Sequence, residues 1–459
     1  MEYIGDLHIH SRFSMATSRD TTPEKLELSA RKKGILLVGT GDFTHEGWRR
    51  ELRERLEPAE EGFYRLRPEF REPGNGAWAA GNPRFVVSGE ISSIYKKNGR
   101  TRKVHNVILL PSFEAADALA ARLEKIGNIH SDGRPILKLD CRDLLEMLLD
   151  VCPEGMLIPA HIWTPHFSLF GRMSGFDRIE ECFEDLTPYV HALETGLSSD
   201  PDMNRQWSAL DGYQLISNSD AHSPAKLGRE ATVFDTEFSY EGLSGAIQRG
   251  EGLSGTIEFF PQEGKYFYDG HRKCGVCLSP REAEALNGIC PVCGKRLTMG
   301  VAHRIWELAD RRDGGEIAQS YSNGKELADR RNGRDADFRI GSEEVARAGS
   351  DTCADKSWYV GSGISEYSGA GFESLVPLPE VVSAVVGTSP ASKKVSALCD
   401  QMLHDLGTEF AILRTIPLEN IRAAFGDPIA HVIQNLRQRN VTAKPGFDGE
   451  YGKITVLQD

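Results

Sequence analysis

Apolar runs alternate with helix-like stretches along the first 260 residues, in a pattern that predicts a parallel α/β fold. Most of these short apolar runs carry a His, Asp or Glu side chain at their end, as buried strands do when they reach a sheet edge. Helical spacing fills the intervals, for example at Pro23–Lys33 and Phe113–Ile126. Seven strands are predicted, at Asp6–His10, Leu36–Asp42, Phe85–Glu90, His105–Leu110, Met156–His161, Ala192–Gly196 and Leu215–Asp220.

The pattern changes after residue 260 and predicts three further regions. Residues 261–304 form a small Cys-rich module, and residues 375–459 recover the apolar periodicity of helices, at Pro379–Val386, Ser392–Leu406 and Leu418–Gln438. Between them, residues 305–374 are rich in Gly, Ser, Arg and Asp and contain a near repeat of Glu-Leu-Ala-Asp-Arg-Arg. Such a composition predicts an insert or linker, and its low apolar content is typical of disordered segments. The extra residues of this insert span about 313 to 371.

Composition narrows the class of protein. At 459 residues the chain is too long for one ordinary core, so two or three domains are expected. No apolar stretch approaches 18 residues and no secretory signal is evident, which predicts no membrane partner. Four of the nine cysteines fall in paired CxxC motifs, which fits a reducing interior and predicts a cytoplasmic, nucleoid-associated location.

Two separated segments each place a pair of metal-capable side chains two positions apart. His8 and His10 form one pair, and Asp220 and His222 form the other. Residues i and i+2 of a strand lie on the same face, so each pair can bind one ion. Taken alone, either pair could instead be explained by solvated side chains in a turn that bind no metal. Two such pairs at strand ends favour a metal site.

Nine side chains in all are candidate metal ligands, which is too many for one tetrahedral site and predicts two or three divalent ions, zinc, magnesium or manganese. They are His8, His10, Asp42, His45, Glu90, His105, His161, Asp220 and His222. The predicted catalytic set is His8, His10, Glu90, His161, Asp220 and His222. Two of these residues have a plain structural alternative: His105 as a half-buried histidine with satisfied hydrogen bonds, and Glu90 as a surface carboxylate. Glu194 is not expected to bind metal.

Four cysteines in two CxxC motifs predict a structural zinc site. Cys274 and Cys277 form the first motif, and Cys290 and Cys293 form the second, twelve residues later. Four thiolates on two tight turns form a closed tetrahedral site, which can fold a segment too small to have its own core. A redox role would normally involve a single CxxC motif.

The formal net charge of −13 argues against indiscriminate binding of polyanions, but residues 264–304 carry seven Lys or Arg against three Asp or Glu. Basic groups beside aromatic ones can hold phosphates and stack bases. A solvated face or a plain aromatic core is the alternative. Candidate contacts to DNA or to a base are Trp163, Phe167, Phe170, Lys265, Arg272, Lys273, Lys295, Arg296, Ser392, Lys393 and Lys394.

Taken together, these motifs resemble the PHP (polymerase and histidinol phosphatase) superfamily. Within it, the four-Cys module, the run Ala160–Gly171, the segment Asn218–Pro224 and the Pro-Gly-Phe-Asp-Gly-Glu-Tyr-Gly ending resemble the endonuclease Q family over nearly the whole chain. The segment Ser11–Met15 departs from the superfamily pattern, because it lacks the His or acid that many members carry there. One ion is therefore expected to bind weakly or through Asp42.

The resemblance implies a distorted seven-stranded (β/α) barrel with a trinuclear metal site. It also implies an enzyme of DNA repair that nicks DNA on the 5′ side of deaminated bases (hypoxanthine, uracil, xanthine) or abasic sites. DNA carrying such lesions is the expected partner, and other repair proteins are further candidates. The alternatives are a phosphatase acting on a small phosphate monoester and a degenerate barrel that serves as a scaffold.

Overall fold

The computed structural model describes residues 1–311, 358–360 and 371–457. Most of the predicted insert therefore lies outside the described residues. The strands are β1 (Glu2–Asp6), β2 (Leu37–Gly39), β3 (Leu56–Pro58), β4 (Tyr64–Leu66), β5 (Arg84–Lys97), β6 (Arg100–Leu110), β7 (Ile136–Leu137), β8 (Met156–Pro159), β9 (Ala192–Glu194), β10 (Gln214–Ile216), β11 (Ala231–Asp235), β12 (Leu253–Glu258), β13 (Asp269–His271), β14 (Val276–Leu278), β15 (Trp358–Val360), β16 (Gly371–Ser374), β17 (Val441–Lys444) and β18 (Lys453–Val456).

Four of the five predicted helical stretches each correspond to one described helix. The described helices span Pro23–Lys33, Glu46–Arg55, Phe113–Leu123, Cys141–Val151, Glu180–Phe183, Pro201–Asn204, Tyr240–Arg249, Pro280–Ala285, Val301–Leu308, Leu378–Val386, Lys393–Leu406, Leu418–Phe425 and Asp427–Arg437. Among the described residues, no helix is both long and apolar enough to cross a membrane.

The first helix shows how local chemistry sets these bounds. The Thr22 side chain accepts a hydrogen bond from the Lys25 N–H, and Pro23 occupies the first helical position, where a missing N–H costs nothing. Gly34 ends the helix with a φ of +89°, a conformation that residues with a Cβ rarely adopt. Leu26 and Ala30 are fully buried, so one face of the helix packs on the sheet.

An eleven-stranded sheet forms the centre of the α/β fold. Its main path runs β16-β12-β11-β1-β2-β5-β4-β3, and β6, β7 and β8 join it through β5 and β6. Strand β1 pairs in parallel with β2, and β2 in parallel with β5. These pairings place the carboxyl ends of β1 and β2 at the same edge, where the candidate ligands begin.

The third and fourth predicted strands differ from the expected parallel arrangement. Strand β5 continues past Glu90 to Lys97 and turns back through Asn98 and Gly99 into the antiparallel β6. Both turn residues have positive φ, +52° and +71°, as a two-residue hairpin turn requires. Glu90 therefore lies inside a strand instead of at its end, and His105 reaches the site from a strand that runs the opposite way.

Each of the seven predicted strand segments overlaps a described strand, namely β1, β2, β5, β6, β8, β9 and β10, although Asp6–His10 overlaps β1 only at Asp6. Strands β9 and β10 pair in parallel as a separate two-stranded sheet. A parallel bridge between Ile9 and Ala221 connects the segment after β10 to the segment after β1. The α/β class is thus observed, whereas the sheet pairings do not by themselves define a closed seven-stranded barrel.

The C-terminal region is more than a group of helices. Strand β16 extends the central sheet in parallel with β12, and β17 pairs with both β15 and β18. The helix predicted over Leu418–Gln438 is two helices, because Gly426 interrupts it with a φ of +87°. The helix Val301–Leu308 crosses residue 304, where the sequence pattern placed the end of the Cys-rich module.

Candidate metal centre

The bridge between Ile9 and Ala221 brings the two i, i+2 pairs of the sequence side by side. The His10 backbone N–H donates to the Ala221 carbonyl oxygen at 2.9 Å. Potential ligand atoms of His8, His10 and Asp220 lie within 4.8 Å of one another as a result. The His10 Nε2 atom is 2.9 Å from the Asp220 Oδ1 atom. Spacing in the sequence and contact in the structure therefore agree for these three residues.

A second group of ligand atoms adjoins the first. Glu90, His105 and His161 also bring their potential ligand atoms within 4.8 Å of one another. The Glu90 carboxylate lies between the groups, with Oε2 3.4 Å from His10 Nε2 and Oε1 3.7 Å from His8 Nε2. This position between the two groups is one from which a carboxylate could bridge two ions.

Several ligand atoms in this cluster are buried without a hydrogen-bond partner. Buried polar atoms are normally satisfied, so each exception calls for an explanation. Four such atoms belong to candidate ligands of the two groups: His8 Nε2, His10 Nε2, His105 Nδ1 and Asp220 Oδ1. Nitrogen and oxygen lone pairs with these surroundings fit divalent cations.

The pocket favours positive charge. Burial alone would lower the pKa of His8, but the carboxylates of Glu194 and Glu90 outweigh it and hold that pKa well above its usual range. Burial alone would raise the pKa of Glu90, but the imidazoles of His105 and His8 hold it well below its usual range. Divalent cations bound at these positions would supply compensating positive charge.

Backbone strain coincides with three of the predicted ligands. Asp42, His161 and Asp220 have φ values of +49°, +31° and +48°. Side chains with a Cβ rarely adopt this conformation, and it is found where surrounding structure enforces it, often at functional sites. The strain at these positions is a further sign that their side chains are held in place for chemistry.

Two carboxylates orient the first histidine pair. The Glu194 oxygens accept from His8 Nδ1 at 3.0 and 3.1 Å, so His8 Nε2 is the nitrogen that faces the cluster. Asp42 Oδ1 lies 3.2 Å from His10 Nδ1, and Asp42 Oδ2 accepts hydrogen bonds from Ser11 and Ser14. Asp42 thus supports His10 in these contacts, whereas the sequence pattern predicted it as a ligand.

The remaining predicted ligands, His45 and His222, lie beside the cluster but outside its two groups in the described structure. The His222 ring is 4.5 Å from the His10 ring, and its Nδ1 donates to the Asp220 carbonyl oxygen at 2.9 Å, leaving Nε2 for an ion. The His45 ring packs at 4.4 Å on Phe13. Burial lowers the pKa of His45, which keeps its ring neutral.

The sequence pattern missed one charged side chain at the cluster. Arg134 Nη1 donates to Glu90 Oε2 at 3.1 Å. Arg134 follows no strand and belongs to no metal-ligand motif, so periodicity and ligand spacing give no signal for it. The turn residues Asp132, Gly133 and Pro135 around it are the one local sign of a fixed loop.

Known proteins resemble this chain over most of its length. A lesion-specific endonuclease from Pyrococcus furiosus, PfuEndoQ, superposes with a TM-score of 0.77 at 26% identity, covering 99% of this chain and 96% of that chain. The Bacillus subtilis (strain 168) protein YqxK is 30% identical over 323 residues, 66% of this chain and 76% of that protein. The chain belongs to the endonuclease Q family. The resemblance predicted from the sequence motifs is therefore confirmed.

Further matches agree with membership of the endonuclease Q family. A crystal structure of endonuclease Q in complex with a 27-mer duplex carrying an abasic lesion at the active site gives a TM-score of 0.75 at 26% identity, covering 100% of this chain and 97% of that one. Residues 377–440 match the MJ0043 C-terminal domain family. The Methanocaldococcus jannaschii protein MJ0043 itself is 26% identical over 301 residues, 64% of this chain and 31% of that protein.

The Cys-rich module of this endonuclease Q family member gathers three cysteines and a histidine. Ligand atoms of His271, Cys274, Cys290 and Cys293 lie within 4.8 Å of one another, and His271 Nδ1 is 3.4 Å from Cys293 Sγ. Cys277, the fourth predicted ligand, is buried in β14 opposite Gly270 and outside this group. A metal site at the predicted place is thus supported, with His271 as a ligand candidate that CxxC spacing alone did not indicate.

The aromatic side chains predicted to contact a base differ in how deeply they are buried. Trp163 and Phe170 are 1% and 0% exposed and pack on Trp207, which makes them core residues. Phe167 is half-buried, with its ring 4.9 Å from the His105 ring and a strained φ of +60°. Of these three, Phe167 is therefore the one that can meet a substrate beside the metal centre.

The basic candidates lie at the surface. Those on the Cys-rich module are all exposed: Lys265, Arg272, Lys273, Lys295 and Arg296. The Lys265 ammonium is 5.7 Å from the Tyr266 ring and 5.8 Å from the highly exposed Tyr451 ring. Lys393 and Lys394 are exposed too, at the start of a helix whose Val395 N–H is already bonded by Ser392.

Proposed function

We propose that this chain is a metal-dependent DNA endonuclease of repair that nicks the phosphodiester on the 5′ side of a deaminated base or an abasic site. One observation carries the proposal: buried atoms of His8, His10, His105 and Asp220 that make no hydrogen bond lie in two adjoining groups of potential ligands, with the Glu90 carboxylate between them. The whole-length similarity to a lesion-specific endonuclease supports DNA as the substrate. Deaminated bases as substrates, and contacts with other repair proteins, are part of the proposal.

The proposed metal set consists of the two groups of ligands, His8, His10 and Asp220 with Glu90, His105 and His161, together with His222. Two or three zinc, magnesium or manganese ions bound there would lower the pKa of a water molecule and neutralise charge on the leaving oxygen. Glu194 and Asp42 fix the orientation of His8 and His10 by accepting their Nδ1 hydrogens. A structural zinc is proposed separately for the Cys-rich module.

Substrate recognition requires that the lesion leave the base stack. Extrusion is least costly where pairing is already weak, as at a deaminated or missing base. Phe167 offers a half-buried aromatic face beside His105, and the buried Trp163 and Phe170 support the loop behind it. The exposed Lys265 and Tyr451 provide a basic and aromatic surface suited to more distant DNA.

The architecture around the centre is proposed to be a distorted seven-stranded barrel. Its strands would be β1, β2, β5, β6, β8, β9 and β10. The Ile9–Ala221 bridge and the hydrogen bond from Ile162 N–H to the Glu194 carbonyl oxygen, at 3.1 Å, support closure between the separate sheets. The domain division at residues 260, 304 and 374 and an intracellular location remain predictions.

A nicking assay tests the proposal. Purified protein would be incubated with Mg²⁺, Mn²⁺ or Zn²⁺ and end-labelled duplexes that contain uracil, hypoxanthine, xanthine, an abasic site or no lesion. We expect a single nick 5′ to the lesion, lost in His8→Ala and Asp220→Ala and retained in the surface control Glu241→Gln. A phosphate monoester is the competing substrate in parallel reactions.

The outcomes separate the candidate functions. If the lesion duplexes stay intact while the phosphate monoester is hydrolysed, the protein is a phosphatase and not an endonuclease. Binding of DNA without cleavage under every metal would point to a scaffold. Full nicking by His8→Ala and Asp220→Ala would show that the metal centre is assigned to the wrong residues.

A further inference from the structure

Arg134 places a permanent positive charge at the opening of the metal centre. Its guanidinium bonds to Glu90, the carboxylate between the two ligand groups, while 27% of its side chain remains exposed. Arginine cannot ligate a cation, so Arg134 has no place in the metal set. It is nevertheless a charged group that extends from the buried cluster to solvent.

The loop that carries Arg134 is fixed by contacts on both sides. Gly133 N–H donates to the Phe13 carbonyl oxygen at 3.0 Å, and its own carbonyl accepts from Thr44 Oγ1 at 3.1 Å. A Cβ on Gly133 would lie 2.3 Å from Asp42 Oδ2, so the loop packs as closely as glycine allows. The approach of Arg134 to the cluster is therefore built into the fold.

The Asp132 side chain ties this loop to the segment after His10. Its Oδ1 accepts from the N–H of Arg134 at 3.1 Å and from the N–H of Met15 at 3.2 Å. Met15 is 70% exposed, so this junction lies at the surface beside the centre. Arg134 thus stands at a preorganised edge where a DNA backbone can reach both the cluster and the guanidinium.

In the described structure, the Arg134 side chain makes a single hydrogen bond, to Glu90. A guanidinium has five N–H donors in a fixed fork that matches phosphate oxygens, so most of its donors remain available. Glu90 also faces four imidazoles, those of His8, His10, His105 and His161, and does not depend on Arg134 for its position. The guanidinium therefore has the capacity for a second partner.

We propose that Arg134 binds a non-bridging oxygen of the scissile phosphate and is a catalytic residue of the nicking reaction; this inference rests on the proposed function. In that reaction a water oxygen bonds to phosphorus and the P–O bond to the leaving deoxyribose oxygen breaks. One water proton passes to the leaving oxygen and the other to solvent. Arg134 donates no proton and stabilises the negative charge that grows on the phosphoryl oxygens.

Three variants test the role of Arg134. Arg134→Ala removes the charge, Arg134→Lys keeps the charge but not the fork, and Arg249→Ala is a control at an exposed pair with Glu251. We expect single-turnover nicking of an abasic duplex to fall by about 100-fold or more in Arg134→Ala. Arg134→Lys should recover part of the loss, and Arg249→Ala should match the wild type.

Two readouts separate substrate contact from support of Glu90. Metal content by mass spectrometry should be unchanged in Arg134→Ala. Abasic-duplex affinity, measured by anisotropy in EDTA over a range of salt concentrations, should lose about one phosphate contact from its salt slope. A phosphorothioate at the scissile linkage replaces one of the two non-bridging oxygens by sulfur, and each diastereomer replaces a different one. The loss of nicking rate that sulfur causes should differ between wild type and Arg134→Ala for one diastereomer only.

Each contrary outcome has a distinct meaning. Loss of metal in proportion to loss of rate would make Arg134 a support for Glu90 and overturn the inference. Equal nicking by wild type and Arg134→Ala would overturn it while leaving the proposed function intact. If the wild-type protein leaves the abasic duplex uncut, both the proposed function and this inference are contradicted. Should Arg134→Ala fail to fold, Arg134→Lys gives the same comparison.

Discussion

Glu194 holds the imidazole of His8 by both carboxylate oxygens, at 3.0 and 3.1 Å from Nδ1. The same carboxylate accepts the His161 backbone N–H at 2.8 Å and the Asn218 amide at 2.9 Å. One buried side chain therefore fixes the ring nitrogen that His8 presents and the position of the strained His161 segment. A residue that does not face the ions can in this way control how the ligands meet them.

Glu194→Gln is expected to weaken metal binding by about 10- to 100-fold, because an amide is a poorer acceptor for the His8 Nδ1 hydrogen. Nicking should fall at limiting metal and recover largely at saturating metal. A metal titration followed by nicking rate and by calorimetry measures this, with Glu241→Gln as the surface control. Unchanged affinity in Glu194→Gln would show that His8 needs no such support.

The proposed zinc ligands of the Cys-rich module can be distinguished by substitution. Cys274→Ser and Cys290→Ser should release zinc and lower the unfolding temperature, because a segment this small has little core without its ion. The observed geometry predicts that His271→Ala also loses zinc and that Cys277→Ser keeps it. Zinc stoichiometry in the four purified variants is the measurement. The reverse behaviour of His271 and Cys277 would restore the four-Cys site predicted from spacing.

Phe167→Ala should weaken binding of a uracil-containing duplex by about tenfold or more, because base stacking on an aromatic ring is worth about 1–3 kcal/mol. Binding of an undamaged duplex should change little, since its bases remain stacked in the helix. Phe167→Tyr keeps the ring and serves as the matched control. Equal losses for damaged and undamaged duplexes would assign Phe167 to general DNA contact or to folding.

Glu258 predicts a pH dependence of stability away from the metal centre. Burial, with the nearby carboxylate of Asp200, raises the pKa of Glu258 to about 8. The folded state therefore holds a proton that the unfolded state releases near pH 4.5, so the free energy of unfolding falls as pH rises from about 4.5 to 8. The loss should be on the order of a few kcal/mol.

Glu258→Gln removes this titration and should flatten that part of the profile. Chemical denaturation at several pH values between about 4.5 and 8 would measure the difference in unfolding free energy between the variant and the wild type. Glu241→Gln, exposed on its helix, controls for the change in net charge. Parallel profiles for wild type and Glu258→Gln would show that Glu258 is ionised in the folded protein.

Features that depend only on residues close together in the sequence were predictable. The helix Pro23–Lys33 has the predicted bounds because Thr22 caps it and Gly34 ends it. The pairs His8 with His10 and Asp220 with His222 follow from strand periodicity, and the first three of these residues meet in one group. Asn98-Gly99 is also a local hairpin signal, and its recognition would have placed Glu90 inside β5 and His105 on an antiparallel strand.

By itself, therefore, the sequence determined the α/β class, the strand-end pairs, the Cys-rich module and the family. Only the tertiary structure decided which polar residues share one volume. Asp42 supports His10, His271 joins three cysteines, and Arg134 reaches Glu90 across 44 residues of chain. These relationships depend on how distant loops pack, and ligand spacing carries no information about contacts between segments far apart in the chain.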